Sequence, residues 1–220
     1  MNTGGGLTGG DRLKVSVRWD AQTAATVAGQ AAEKIYRSLG DEAQIDVRLD
    51  VGAGARAEWL PQEAIVFDRA RLSRRAEIRV TADSDLLAIE AAVLGRSAMG
   101  EAVRWGAVTD AWRIVRDARI VYADVQRLEG PIDAMMDRPA IGAGARAYGM
   151  VIHAARDAAA RLDPLRERLR RARGRAAASA WNGLLVVRLL AADGQALRHD
   201  ILATLSVLRD EAPPPRVWTC

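Results

Sequence analysis

Three short stretches hold the residues whose types and spacing could do chemistry. "AEWLPQEAIVFDRARL", Ala57 to Leu72, sets Glu58, Gln62, Glu63 and Asp68 around an apolar ridge that also carries Trp59 and Pro61. "VLGRSAMGEAV", Val93 to Val103, holds Arg96 and Glu101 between glycines, and "AAEKIYRS", Ala31 to Ser38, places Lys34 and Arg37 on either side of Tyr36. Charged groups inside otherwise apolar segments are costly unless they are paired or meet water. Two readings of these stretches follow: ordinary alternation toward solvent, or the wall of a wet passage.

Other chemistries find little support. The only histidines are His153, inside the apolar "MVIHAA", and His199, which has no carboxylate at a helical spacing to orient it. Both read as structural. There is no G-x-S-x-G, no H-E-x-x-H, and the single cysteine, Cys220, is the last residue. A structural zinc site needs four His or Cys ligands, so none is expected. Met135-Met136 reads as flexible gap-filling rather than a soft-metal site. A metal role is left to carboxylates that bind in passing.

Gly4, Gly6 and Gly9 fit G-x-G-x-x-G, but a dinucleotide loop needs a strand before it and a helix after it. Here Leu13, Val15, Val17 and Trp19 alternate with Lys14, Ser16 and Arg18, the pattern of a half-buried strand. The glycines are therefore expected to mark a turn or close backbone approach ahead of an antiparallel strand, not a phosphate site.

Composition narrows the class further. The 220 residues carry a net charge of +4, and only Lys14 and Lys34 among the 32 basic residues are lysine. With the abundant alanine this arginine bias reads as a GC-rich coding sequence rather than a nucleic-acid footprint. The ten aromatics are scattered and form no stacking motif. The densest basic run, "RERLRRARGR" from Arg166 to Arg175, shares a helix with Leu162, Leu165 and Leu169 and reads as a solvated outer face. No apolar run is long enough to span a membrane, and no signal peptide is visible. With the lone terminal cysteine, these features point to the cytoplasm.

The elements that must position the charged stretches are mostly strands. Ile45, Val47, Leu49 and Val51 alternate with charged residues, as do Ala76, Ile78 and Val80. Ile65 to Phe67, Trp112 to Val115 and Arg119 to Val125 are further strand candidates. "GAGARA" occurs at Gly52–Ala57 and again at Gly142–Ala147, which suggests similar strand-to-strand bends; two copies do not make a repeat array. In the last third, Asp163-Pro164 opens a helix running to about Arg173, with Asp163 as its N-cap. "GLLVVRLLAA", Gly183 to Ala192, reads as a central strand. A second helix spans about Gln195 to Asp210 with Leu197, Ile201, Leu205 and Leu208 on one stripe, and Pro213 to Pro215 end it. The expected fold is mainly β: stacked antiparallel or mixed sheets, β-helix-like, with two helices in the C-terminal third.

Taken together, "GGGLTGGDRL", "KIYRS", "EWLPQEAIVFDRA", "LGRSAMGE", "GLLVVRLLAADGQALR" and the closing "PRVW" resemble the UreD/UreH family of urease accessory proteins. The likeness runs from Asn2 to Trp218 as a single domain, residues 1–220. It implies a non-enzyme that binds urease apoprotein and UreF-type and UreG-type partners, with no nucleic acid or membrane involved. It also implies a helix-poor stack of sheets through which nickel passes without being tightly held. On that picture Glu63, Asp68 and Glu101 line or shape the passage, as oxygen ligands that bind a divalent ion weakly enough to release it. Gly9, Gly10, Asp11, Lys34, Tyr36, Arg37, Trp59, Pro61, Gln62 and Arg96 are the other motif positions, with Asp11 anchoring the glycine turn.

Two departures stand beside the resemblance. Family members usually begin further upstream, with strands ahead of the glycine turn, so the expectation is a misassigned start or an open sheet edge. The family's threonine-rich stretch before the Lys-x-Tyr-Arg motif is replaced by "TVAGQAA". The competing expectation, motivated by a pI of about 9.8, is a stand-alone β-rich module that binds a polyanion or a carbohydrate.

Overall fold

The computed structural model describes residues 5–96 and 99–219. Gly4 and Cys220 lie outside them, as do Ser97 and Ala98 of "LGRSAMGE". Apolar–polar alternation dictates the first sheet. In β1 (Arg12–Trp19) and β4 (Ala43–Val51) every second side chain turns inward, and β7 (Arg71–Val80) and β9 (Gly106–Arg116) follow the same rule. With β10 (Arg119–Gly130) they form a five-stranded sheet ordered β1-β4-β7-β9-β10.

The second sheet begins with β2 (Ala24–Ala28), β5 (Arg56–Leu60) and β8 (Asp85–Leu94). It continues through β11 (Ala147–Ala154), β13 (Leu184–Ala191) and β12 (Arg175–Trp181). A short pair, β3 (Glu33–Ile35) and β6 (Ala64–Val66), joins it where β6 pairs with β8.

Up to β9 the chain winds as a solenoid. Partners in β1 and β4 lie 32 residues apart, and so do partners in β2 and β5 on the opposite wall. The next coil steps by 29 residues on both walls, from β4 to β7 and from β5 to β8. All these pairings are parallel. The coils are the β-helix-like stack that was expected, with one correction: β1 is a parallel strand, not an antiparallel one. The repeat escaped the sequence because only backbone register recurs while the side chains do not. The "GAGARA" echo reflects a shared role, since each copy leads into a strand of the eight-stranded sheet. Its second glycine takes a positive φ in both places, 63° at Gly54 and 89° at Gly144.

Two cores define three layers. One lies between the sheets and includes Leu49, Ile78, Ile114, Leu86, Ile152 and Leu184. The other lies between the eight-stranded sheet and the helices, gathering Leu87, Ile89, Val187, Leu165, Leu197, Ile201, Leu205 and Trp218. Strand β11 is thus buried on both faces, and β8 and β13 nearly so, which accounts for their continuous apolar runs.

The helices depart in detail from the sequence reading. A short α1 (Ile132–Asp137) was not anticipated; it carries Met135 and Met136, and Met136 fills the inter-sheet core. Helix α2 spans Leu162–Leu169, so Asp163 and Pro164 lie inside its first turn and Asp163 is not the cap. Proline is tolerated there because the first four amides of a helix have no intrahelical acceptor. The helix also ends earlier than expected, leaving residues 170–174 as a turn that Asp200 anchors by accepting the Arg173 and Gly174 amides at 2.8 Å each. Helix α3 (Gly194–Leu208) matches its expected stripe and is capped by Asp193, which accepts the Ala196 amide at 2.8 Å.

Candidate functional site

The motif residues fall into three neighbourhoods. The first is the glycine turn, which docks on β3. Leu7 bridges Ile35 in parallel, with its amide donating to the Lys34 carbonyl and its carbonyl accepting from Tyr36, both at 2.7 Å. A Cβ on Gly6 would meet the Lys34 carbonyl at 2.6 Å, and one on Gly9 would strike Ser38. Asp11 accepts the Thr8 amide at 2.8 Å within the turn. Gly10 follows with φ at 89°.

The second neighbourhood is an open cleft of about 470 Å³ lined by Tyr36, Arg37, Phe67, Asp68, Gly100, Glu101, Ala102 and Arg104. The path of the coils explains the grouping. Tyr36 and Arg37 follow β3, Phe67 and Asp68 follow β6, and the segment around Glu101 follows β8, so three successive returns of the chain emerge side by side. Tyr36 and Phe67 stack with centroids 5.1 Å apart, and the Arg96 guanidinium covers Phe67 at 5.1 Å. Arg96 grips Glu101 with two hydrogen bonds of 2.8 and 2.6 Å. That grip holds the Glu101 carboxyl below its ordinary range and pushes the Arg96 guanidinium above its own. Gly95 permits the bend, because its φ is 77° and a Cβ there would meet the Glu101 carbonyl at 2.6 Å. Asp68 accepts the Trp105 amide at 3.0 Å and lies 4.0 Å from Arg69.

The third neighbourhood is a clasp that holds α3 and the C-terminal segment to the β5–β6 connection. Glu63 is not among the residues lining the cleft; it takes the Arg198 guanidinium at 2.8 and 3.1 Å. Gln62 accepts from Arg198 at 3.1 Å and donates to the Val217 carbonyl at 2.5 Å. Glu58 takes Arg209 at 2.7 Å. Trp218 donates to the Leu60 carbonyl at 3.1 Å, and Arg198 lies 5.6 Å from the Trp218 ring centroid. Trp59 packs against the inter-sheet core, while Pro61 approaches the backbone of Gly29. Thus "EWLPQE" and "PRVW", far apart in sequence, meet as one structural joint. Of the three motif carboxylates, Asp68 and Glu101 come together and Glu63 stands apart.

Sequence reasoning missed a fourth group, buried between the sheets. Arg74 of β7 pairs with Asp110 of β9 at 2.6 Å and with Glu90 of β8, and Tyr148 of β11 donates to Asp110 at 3.3 Å. All four are at least nine-tenths buried, and the second terminal nitrogen of Arg74 has no hydrogen-bond partner among the described residues. Burial pushes the Glu90 carboxyl up to about 7 although Arg74 opposes it. Burial and the Asp110 charge also raise the Tyr148 phenol well above its ordinary range. The available signal was Glu90 alone in "LLAIEAAVL", an ionisable residue in a run with no polar face.

The remaining candidates have structural settings. His153 is buried with Nε2 2.8 Å from Asp85, and His199 lies on the exposed side of α3. The Arg166–Arg175 run is largely an outer surface, where Arg168 reaches Glu211 and Arg170 reaches Glu167. Among the described residues no cluster of three or more His, Cys, Asp or Glu could hold a metal, and no helix is long and apolar enough to cross a membrane.

A short solenoid is closed by antiparallel strands and clasped by C-terminal helices, and its sequence motifs gather at joints between elements. The comparisons specify the family. Residues 1–219 match the family model described as UreD urease accessory protein. Three proteins named urease accessory protein UreD are similar to 99% of this chain. They come from Azorhizobium caulinodans (46% identical, 80% of its length covered), Xanthobacter autotrophicus (49%, 75%) and Rhizobium leguminosarum bv. viciae (45%, 79%). The chain belongs to the UreD family of urease accessory proteins.

Proposed function

We propose that this urease accessory protein is a non-catalytic cytoplasmic scaffold. It binds urease apoprotein together with UreF-type and UreG-type partners, and helps deliver nickel while the UreG-type partner hydrolyses GTP. The observation that carries this reading is the match of residues 1–219 to the UreD family, which covers every motif described above. The placement of Asp68 and Glu101 in one open cleft supports their assignment to the nickel route. Each already has a hydrogen-bonding partner, so neither is a free, rigid chelator, and a carboxylate of that kind suits an ion that must move on. Glu63 shapes the route indirectly by fixing the β5–β6 connection that leads to Asp68.

Purified urease apoprotein, UreF-type and UreG-type proteins, GTP and nickel, with and without this chain, provide the test. Nickel incorporated per urease active site is the readout. Several-fold more incorporation with the chain supports the scaffold, and equal incorporation in its absence sinks it.

A further inference from the structure

We propose that the cleft beside Asp68 is a docking surface for an acidic segment of a partner protein, one that presents carboxylates next to an apolar side chain. The proposal rests on the scaffold reading above and adds the place and the chemistry of one contact. Arg37 and Arg104 both line the cleft, and neither guanidinium has an ion-pair or hydrogen-bond partner among the described residues. Arg96, on the same side of the cleft, is by contrast paired with Glu101.

The apolar part of the surface lies alongside. Arg37 also lines a second opening of about 500 Å³ with Thr8, Ser38 and Leu39. Leu39 is 92% exposed, Trp105 59% and Tyr36 39%; Tyr36 adjoins Arg37, Trp105 adjoins Arg104, and Leu39 lies two residues beyond Arg37. Arginine set beside exposed tryptophan and tyrosine makes the composition of an interface centre rather than of ordinary surface, and Leu39 adds apolar area next to it. The wall is pre-formed, because the Arg96–Glu101 fork and the Tyr36–Phe67 stack fix it without the partner. Charge selects the occupant. Glu101 is paired with Arg96, and Asp68 lies 4.0 Å from Arg69 and accepts the Trp105 amide, so the unpaired charge belongs to Arg37 and Arg104 and calls for carboxylates.

The test measures binding of the full chain to purified urease apoprotein, UreF-type and UreG-type proteins, each separately, by calorimetry. Arg37→Glu with Arg104→Glu should weaken one of these complexes at least about 30-fold and lower its salt dependence. Leu39→Asp should weaken the same complex independently. Arg171→Glu with Arg175→Glu, on the α2 side, should leave it within about twofold, as surface changes outside an interface do. Circular dichroism checks that each variant is folded; Arg37, Arg104 and Leu39 are surface side chains whose exchange breaks no ion pair. A complex that tolerates both the double reversal and Leu39→Asp overturns the docking surface and leaves the scaffold standing. Failure of the unaltered chain to bind any of the three overturns the scaffold reading, and the docking surface with it.

Discussion

At the scale of single residues, the most consequential group is the Arg74, Glu90, Asp110 and Tyr148 cluster between the sheets. Breaking a buried ion pair leaves an uncompensated charge, so Arg74→Met should destabilise the fold by about 3–5 kcal/mol in urea unfolding. A loss below about 1 kcal/mol would mean that water reaches the cluster and relieves the strand. Glu90 gives a sharper signature. Its carboxyl sits at about 7 in the folded chain, above its ordinary 4.5, because burial disfavours the ionised form. The folded state therefore holds the proton more tightly than the unfolded state does. That contribution is fully present below pH 4.5 and is lost as pH rises through 7. Between about pH 5 and pH 8 the native protein should lose up to about 3 kcal/mol relative to Glu90→Gln. Parallel pH profiles for the two proteins would show that Glu90 ionises normally.

At the scale of elements, the clasp on α3 explains why motif residues remote in sequence belong together. Trp218 is 1% exposed, and its loss should cost about 3–5 kcal/mol, read as a lower urea midpoint. A double-mutant cycle on Glu63→Gln and Arg198→Ala should return a coupling of about 1 kcal/mol, since the pair is only partly buried. Zero coupling would relegate the ion pair to surface decoration. The limits of sequence reading are clearest here. Strands β1, β4 and β7 were legible because alternation with charged residues has a period of two. Strands β8 and β11 were not, because burial on both faces erases that period. Helix α3 was legible in its leucine stripe, whereas α2 was displaced by an Asp-Pro pair that looks like a helix start and lies in the first turn. Residues 34–38, 62–68 and 96–101 could be singled out as polar groups in apolar company. Which of them meet depends on solenoid coils of 32 and 29 residues, a distance no local pattern spans. Hence Asp68 and Glu101 share a cleft while Glu63, five residues from Asp68, is bound to a helix near the C-terminus.

At the scale of the whole molecule, the solenoid aligns successive chain returns so that one open face collects side chains from three coils. Strand β1 of the five-stranded sheet and β2 of the other stand at the sheet edges. The chain covers about three quarters to four fifths of the length of its curated relatives. The central claim, that this chain works as a urease accessory protein through its assembled surfaces, is tested most directly in cells. A urease operon lacking its UreD-type gene is complemented with this chain under nickel supply, and urease activity is measured per unit of urease protein. Restored activity that falls at least about tenfold with Arg37→Glu/Arg104→Glu is the expected result, in line with loss of an interface centre. Activity no higher than in the uncomplemented deletion, with the chain expressed and folded, would contradict the account.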